Sequence, residues 1–217
     1  MTQLDNHTRF FGNLCNADDK IEEIEYFHSE LEVLIKQEKS KLESIQVDFD
    51  DNPVQYIKKF HFEYTLEQSL RTSVIIKLVT FLEVELQNYC CDLQAALNLH
   101  VKYNDLKGTV LEQFKTYTNK IALLTIDFSS SKYEKVKQLI ELRNCIVHYE
   151  GQIENFYGRK FNRSETLHTL ARQMPSIKIK DNDFVFLEKE ACTNCVSIIK
   201  EFVDLIYNSA LEKFPKG

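Results

Sequence analysis

The feature that most constrains this chain is the stretch from Val54 to Lys107, which contains neither glycine nor proline. Proline removes a backbone donor and glycine carries the largest backbone entropy, so a stretch free of both can run as unbroken helix. The whole chain has only five Gly and three Pro in 217 residues, too few turn residues for a many-stranded β fold. From Leu66 to Leu99 apolar residues recur at helical spacing (Leu66, Leu70, Val74, Leu78, Phe81, Leu82, Leu86, Tyr89), which predicts a helix of about nine turns. A kink or a separate helix is expected before Tyr64. Glu83 and Glu85 interrupt the stripe, and one of the two is expected to face solvent.

Helical periodicity extends to both sides. Ile21, Ile24, Leu31, Ile35, Leu42 and Ile45 alternate in steps of three and four, with His28 and Glu38 at the missing seam positions. Asp18-Asp19 reads as the start of that helix, because acidic groups favour the N-terminal end of the helix dipole. Residues 1–52 carry 13 acidic and five basic side chains, so an acidic N-terminal helical segment over 1–52 is expected to precede the main helical domain over 53–217. The break at Asp50-Asp51-Asn52-Pro53 separates them, with Pro53 suited to a first helical turn. After Gly108 a shorter helix is expected over Val110–Leu124. Ser129-Ser130-Ser131 then caps a helix through Val136, Leu139, Ile140, Cys145 and Ile146 to Tyr149, with Gly151 at a left-handed C-terminal cap. Gln152 to Pro175 reads as a long basic connection, in part helical. Ile177–Lys180 and Phe184–Leu187, separated by Asp181-Asn182-Asp183, predict a β-hairpin. Glu188 to Leu211 predicts a last amphipathic helix with Cys195, Ile198, Ile199, Phe202, Leu205 and Ile206 inward. The fold class expected is mainly all-α, a helical bundle with a small hairpin before the C-terminal helix.

Several function classes find no support in these residues. A net charge of −6 argues against a general polyanion binder, although Arg159–Lys180 holds six basic residues against Glu165 alone. No apolar run reaches the length of a membrane span, and the first residues lack a secretory pattern, so a cytoplasmic protein is expected. Six cysteines set in helical patterns read as reduced thiols. Cys192-x-x-Cys195 has half of a zinc-site spacing without a second ligand pair, so no metal is expected there. His28, His61, His100 and His168 have no partners at telling spacing, and no glycine-rich phosphate loop or nucleophile elbow is present.

One constellation carries chemistry. Arg143-Asn144-Cys145-Ile146-Val147-His148 sets three polar groups at the end of an otherwise apolar helix. Asn144 and His148 are i, i+4 neighbours on one face, whereas Arg143 and His148 are separated by about 140° around the axis. One straight helix therefore does not bring Arg143 and His148 together; two copies of it across a two-fold axis can.

Arg143-Asn144-x-x-x-His148 at a helix end, closely followed by Gly151, resembles the signature of the HEPN superfamily (higher-eukaryote and prokaryote nucleotide-binding). The order of elements is also similar from about Phe60 to Leu211, with a long helix before the motif and a hairpin and closing helix after it. The resemblance implies a metal-independent endoribonuclease without cofactor, whose cleft lies at a homodimer interface, in a toxin–antitoxin or phage-defence setting with a cognate antitoxin or defence partner. RNA supplies its own nucleophile, the 2′-hydroxyl. His148 would move protons, Arg143 would hold the scissile phosphate and Asn144 would orient phosphate or imidazole. Arg159, Lys160 and Arg163 are the candidate substrate-binding cations. Two departures stand out. Glu141 and Lys137 are not at the spacing of the upstream Glu and Lys of some active relatives. Tyr149 follows His148 directly, rather than two residues on as in the toxin branch that carries a modifiable Tyr. The alternative implied by the same resemblance is a non-catalytic module that binds nucleotide, RNA or protein.

Overall fold

The computed structural model describes residues 3–43, 52–154, 158, 160–180 and 183–216. The chain is mainly α-helical, with a two-stranded antiparallel hairpin before the last helix. The helices are α1 (Gln3–Glu43), α2 (Pro53–His61), α3 (Glu67–Leu97), α4 (Val110–Thr116), α5 (Ser131–Tyr149), α6 (Ser164–Gln173) and α7 (Lys189–Lys213). Strands β1 (Ile177–Lys180) and β2 (Phe184–Leu187) pair with Ile177 opposite Leu187 and Lys180 opposite Phe184.

The first helix is longer than its sequence suggests. It starts at Gln3, fifteen residues before Asp18, so Asp18-Asp19 lies inside it instead of opening it. The reason is a seam that continues N-terminally: Asn6, Phe10 and Ala17 are buried in register with Ile21, Ile24, His28, Leu31 and Ile35. Beyond Ile35 the seam fades, since Glu38 is exposed and Leu42 half-buried, and Ile45 lies outside the described residues, as do Asp50 and Asp51.

Asn52 caps α2 by accepting the Gln55 N–H at 3.2 Å, and Pro53 occupies the first turn. A single π-helical turn over Phe62–Leu66 separates α2 from α3, so the segment before Tyr64 is a helix of its own, as expected. That turn leaves Leu66 47% exposed, so it does not join the stripe formed by Val74, Leu78, Leu82, Leu86 and Tyr89. Glu85, not Glu83, goes into the interior, where its Oε1 accepts the Tyr207 hydroxyl. The predicted Val110–Leu124 helix ends early: α4 gives way to a second π turn over Tyr117–Ile121, and Leu123 adopts a left-handed φ of 52°. The basic connection contains α6, and Asp183 closes the hairpin with φ 54°; Asp181 and Asn182 lie outside the described residues. In α7, Leu205 is half-buried while Val203, Tyr207 and Ala210 join Cys195, Ile199, Phe202 and Ile206 inside.

The chain divides into two compact units, each assembled from separate segments. One unit takes residues 1–22, 78–140 and 196–217. Its core is aromatic: Tyr89 lies 5.6 Å from Phe10, 5.7 Å from Phe114 and 5.2 Å from Tyr207, ring centroid to centroid. The Tyr89 hydroxyl donates to the Ile206 carbonyl at 2.8 Å, so this buried phenol costs no unmade hydrogen bond. The other unit takes residues 23–77 and 141–195, including the end of α5 and the hairpin. There Gln68 fastens α3 to β2 through both ends of its amide, donating to the Leu187 carbonyl at 3.0 Å and accepting the Leu187 N–H at 2.8 Å. Two bonds to one residue make the side-chain amide act as a third strand edge.

No helix among the described residues is long and apolar enough to cross a membrane. All six cysteines are free, with Cys15 and Cys91 exposed and Cys90, Cys145, Cys192 and Cys195 buried. Burial pushes the Cys192 thiol up to about 12 and the Cys145 thiol up to about 11, which suits protonated side chains in a core.

Candidate active site

The end of α5 is held by a tight reversal. The Cys145 carbonyl accepts the Gly151 N–H at 3.1 Å and the Tyr149 carbonyl accepts the Gln152 N–H at 2.9 Å. Glu150 and Gly151 both turn left-handed, with φ 54° and 78°. At Gly151 this conformation coincides with crowding, because an added Cβ would lie 3.4 Å from the Phe184 ring. The chain is then pinned to the hairpin: Val185 N–H donates to the Gly151 carbonyl at 2.8 Å and Ile153 N–H to the Asp183 carbonyl at 2.7 Å. The Cys145 thiol reaches the Gln152 carbonyl at 3.6 Å, and the Tyr149 ring meets Phe161 edge-on at 5.2 Å. The last turn of the motif helix thus sits on a fixed base.

On that turn Leu142 and Cys145 point into the core with no exposure. Arg143 and Asn144 are half-buried, and His148 is exposed. Among the described residues no hydrogen bond or ion pair holds the Asn144 amide or the His148 ring. With α5 helical throughout, Asn144 and His148 share a side of the helix and Arg143 lies about 140° from His148. A single copy of α5 does not aim the three groups at one point.

The carboxylate nearest to Arg143 in sequence is engaged elsewhere. Glu141, buried, accepts Nη1 of Arg163. That places one of the three candidate substrate-binding cations against the motif helix, where it anchors the connection instead of standing free. Lys160 pairs with Glu154 at 2.9 Å, which raises the pKa of its ammonium, and Arg159 lies outside the described residues. The rest of the basic cluster is also engaged: Arg172 donates to Thr169 Oγ1 at 3.0 Å, Lys178 pairs with Glu188, and Lys180 sits over the Phe186 ring. Lys137 pairs with Glu134 at 2.9 Å, one turn away on its own helix.

A cleft of about 430 Å³ opens beside the same helix end. Thr65, Gln68, Ser69 and Thr72 line one wall, and Ile146, Glu150, Gly151 and Phe184 the other. By helical phase Ile146, which lines the cleft, lies about 60° from Arg143 and about 160° from His148. The cleft therefore opens on the Arg143 side of α5. Among the described residues no group of three or more His, Cys, Asp and Glu side chains could hold a metal ion.

A second polar centre escapes the sequence patterns. Arg71 and Glu67, one turn apart on α3, meet Glu32 of α1. Arg71 Nε and Nη2 donate to the two oxygens of Glu32 at 2.7 and 3.1 Å, and Nη1 donates to the Leu187 carbonyl at 3.0 Å and pairs with Glu67 at 2.7 Å. Lys39 closes on the other Glu67 oxygen at 2.7 Å. Burial disfavours the charged Glu32, but Arg71 outweighs it and holds the carboxyl below its ordinary range. Burial holds His28 below the ordinary imidazole value although Glu32 lies 3.6 Å away. The traces in the sequence are two pairs at i, i+4, Glu67 with Arg71 and His28 with Glu32, a spacing common on solvated helix faces. Compared with protein-family models, curated proteins and solved structures, the chain matches none of them.

Proposed function

We propose that this chain is a metal-independent endoribonuclease of the HEPN kind, acting as a homodimer with Arg143, Asn144 and His148 in its cleft. The observation that carries the reading is the accessible end of α5. His148 is exposed and bound to nothing among the described residues, so its ring is available to take and deliver a proton. Its neighbour across one turn, Asn144, has an equally uncommitted amide. The resemblance of Arg143-Asn144-x-x-x-His148 to the family motif supplies the reaction class.

In this reading His148 of one copy removes the proton from the RNA 2′-hydroxyl, which attacks the adjacent phosphorus. The protonated His148 then gives a proton to the departing 5′-oxygen, while the second copy supplies Arg143. Arg143 stabilises the charge on the phosphorane oxygens, a task for a planar cation with several donors. The products are a 2′,3′-cyclic phosphate and a 5′-hydroxyl. Two copies are required because the helix separates its own Arg143 and His148 by about 140°. A toxin–antitoxin or phage-defence role, with a partner that gates the activity, belongs to the same proposal.

The test is a labelled single-stranded RNA incubated with purified protein in EDTA. Cleavage giving cyclic-phosphate ends, lost by a factor of about 100 or more in His148→Ala, is the expected result. If wild type and His148→Ala are equally inert on every RNA tried, the proposal fails and a non-catalytic binding module takes its place. Activity that vanishes in chelator would refute the metal-independent step.

A further inference from the structure

The buried pair of Arg71 and Glu32 forms one wall of a separate cavity of about 350 Å³, lined by Lys36, Lys39, Ser40 and Lys189 besides. Glu32, Lys36, Lys39 and Ser40 lie at i, i+4, i+7 and i+8, one stripe of α1, so a single helix face turns these side chains to the same space. Lys189 is the first residue of α7.

Four cations thus line the cavity against two nearby carboxylates, Glu32 and Glu67. Lys39 and Arg71 are matched by those carboxylates. Lys36 and Lys189 are exposed and have no ion pair among the described residues. The site therefore carries a surplus of two positive charges. A second observation points the same way. The Arg71 side chain is only 7% exposed, and its five N–H groups meet four acceptors: two Glu32 oxygens, Glu67 and the Leu187 carbonyl. One N–H of Nη2 has no acceptor among the described residues, in a residue that lines the cavity. A buried guanidinium donor without an acceptor is costly unless a ligand or water takes it.

We infer that this cavity is a binding site for a phosphate monoester dianion, with Arg71 as the fixed donor and Lys36 and Lys189 as the closing cations. The charge surplus of two matches a terminal phosphate, whereas a phosphodiester inside an RNA strand brings only one charge. The planar guanidinium suits paired phosphate oxygens, and the Ser40 hydroxyl adds a neutral donor. The cavity exceeds the size of the bare anion, which leaves room for an attached sugar. This site does not depend on the nuclease reading, and its residues are distinct from those at the end of α5.

The experiment is calorimetric titration of the full chain at low salt with inorganic phosphate, adenosine monophosphate and adenosine. Phosphate and the monophosphate are expected to bind at up to millimolar concentration, and adenosine not to bind. The double substitution Lys36→Ala and Lys189→Ala removes only exposed side chains and is expected to weaken binding about tenfold, while Lys20→Ala leaves it unchanged. Two RNAs of one sequence, with and without a 5′-phosphate, separate the sources of the ligand: tighter binding of the phosphorylated strand assigns an RNA end, and equal binding assigns a small phosphate ester. Absence of any heat with phosphate and the monophosphate, or binding unaffected by the double substitution, overturns the inference.

Discussion

At the residue scale the two polar centres have opposite characters. His148 is exposed and uncommitted, so His148→Ala should abolish RNA cleavage and change folding stability by less than about 0.5 kcal/mol in urea denaturation. Arg71 is buried between two carboxylates, so Arg71→Met should cost about 3–5 kcal/mol, because Glu32 would lose its cationic partner in the interior while Glu67 keeps only Lys39. Acid should attack the same cluster in two stages. Burial lowers the His28 pKa from 6.5, so the unfolded chain binds that proton first; this stability is present above about 6.5 and is lost as pH falls through the lowered folded value. Arg71 lowers the Glu32 pKa from 4.5, so its contribution is complete above 4.5 and is lost as pH falls through the depressed value. A thermal melt followed from pH 7 downward should show Tm declining in both windows, and His28→Gln should flatten only the upper one.

At the scale of elements, helical periodicity foretold most of what forms, and local chemistry decided where it stopped. The Val74–Tyr89 stripe, the Asn52-Pro53 start of α2, the hairpin and the last helix follow directly from spacing and cap residues. The start of α1 did not, because Gly12 and the acidic pair Asp18-Asp19 imitate a boundary, although Phe10, Leu14 and Ala17 continue the spacing of Ile21 and Ile24. The π turns at Phe62–Leu66 and Tyr117–Ile121 left no pattern of their own, since one inserted residue shifts phase without changing composition. Gly151 was legible for its left-handed turn, but not for the Phe184 ring against it. Both now predict the same outcome: Gly151→Ala should destabilise by about 1–2 kcal/mol and lower RNA cleavage through a displaced last turn of α5. Denaturation and the cleavage assay read the two effects separately. Gln68→Leu removes both bonds to Leu187 and leaves its buried N–H unmet, while the carbonyl keeps Nη1 of Arg71, with an expected loss of about 1–3 kcal/mol.

For the whole molecule, the three motif residues were visible in the sequence, and so was the difficulty that α5 alone cannot converge them. The basic cluster was visible too, but its contacts were not: Arg163 is bound to Glu141 and Lys160 to Glu154, facts set by tertiary placement and not by spacing. The Arg71 centre, with the cavity beside it, was hidden because its partners Glu32 and Lys39 are far away in sequence. The central claim is that Arg143 and His148 act from two copies in one cleft, and subunit mixing tests it most directly. Arg143→Ala and His148→Ala proteins, each inactive alone, are unfolded together, refolded as a mixture and assayed on labelled RNA in EDTA beside the wild type. Restored cleavage in the mixture is predicted, because each mixed dimer regains one Arg143 and one His148 across the interface. An active wild type beside a mixture as inert as its components would contradict the shared cleft.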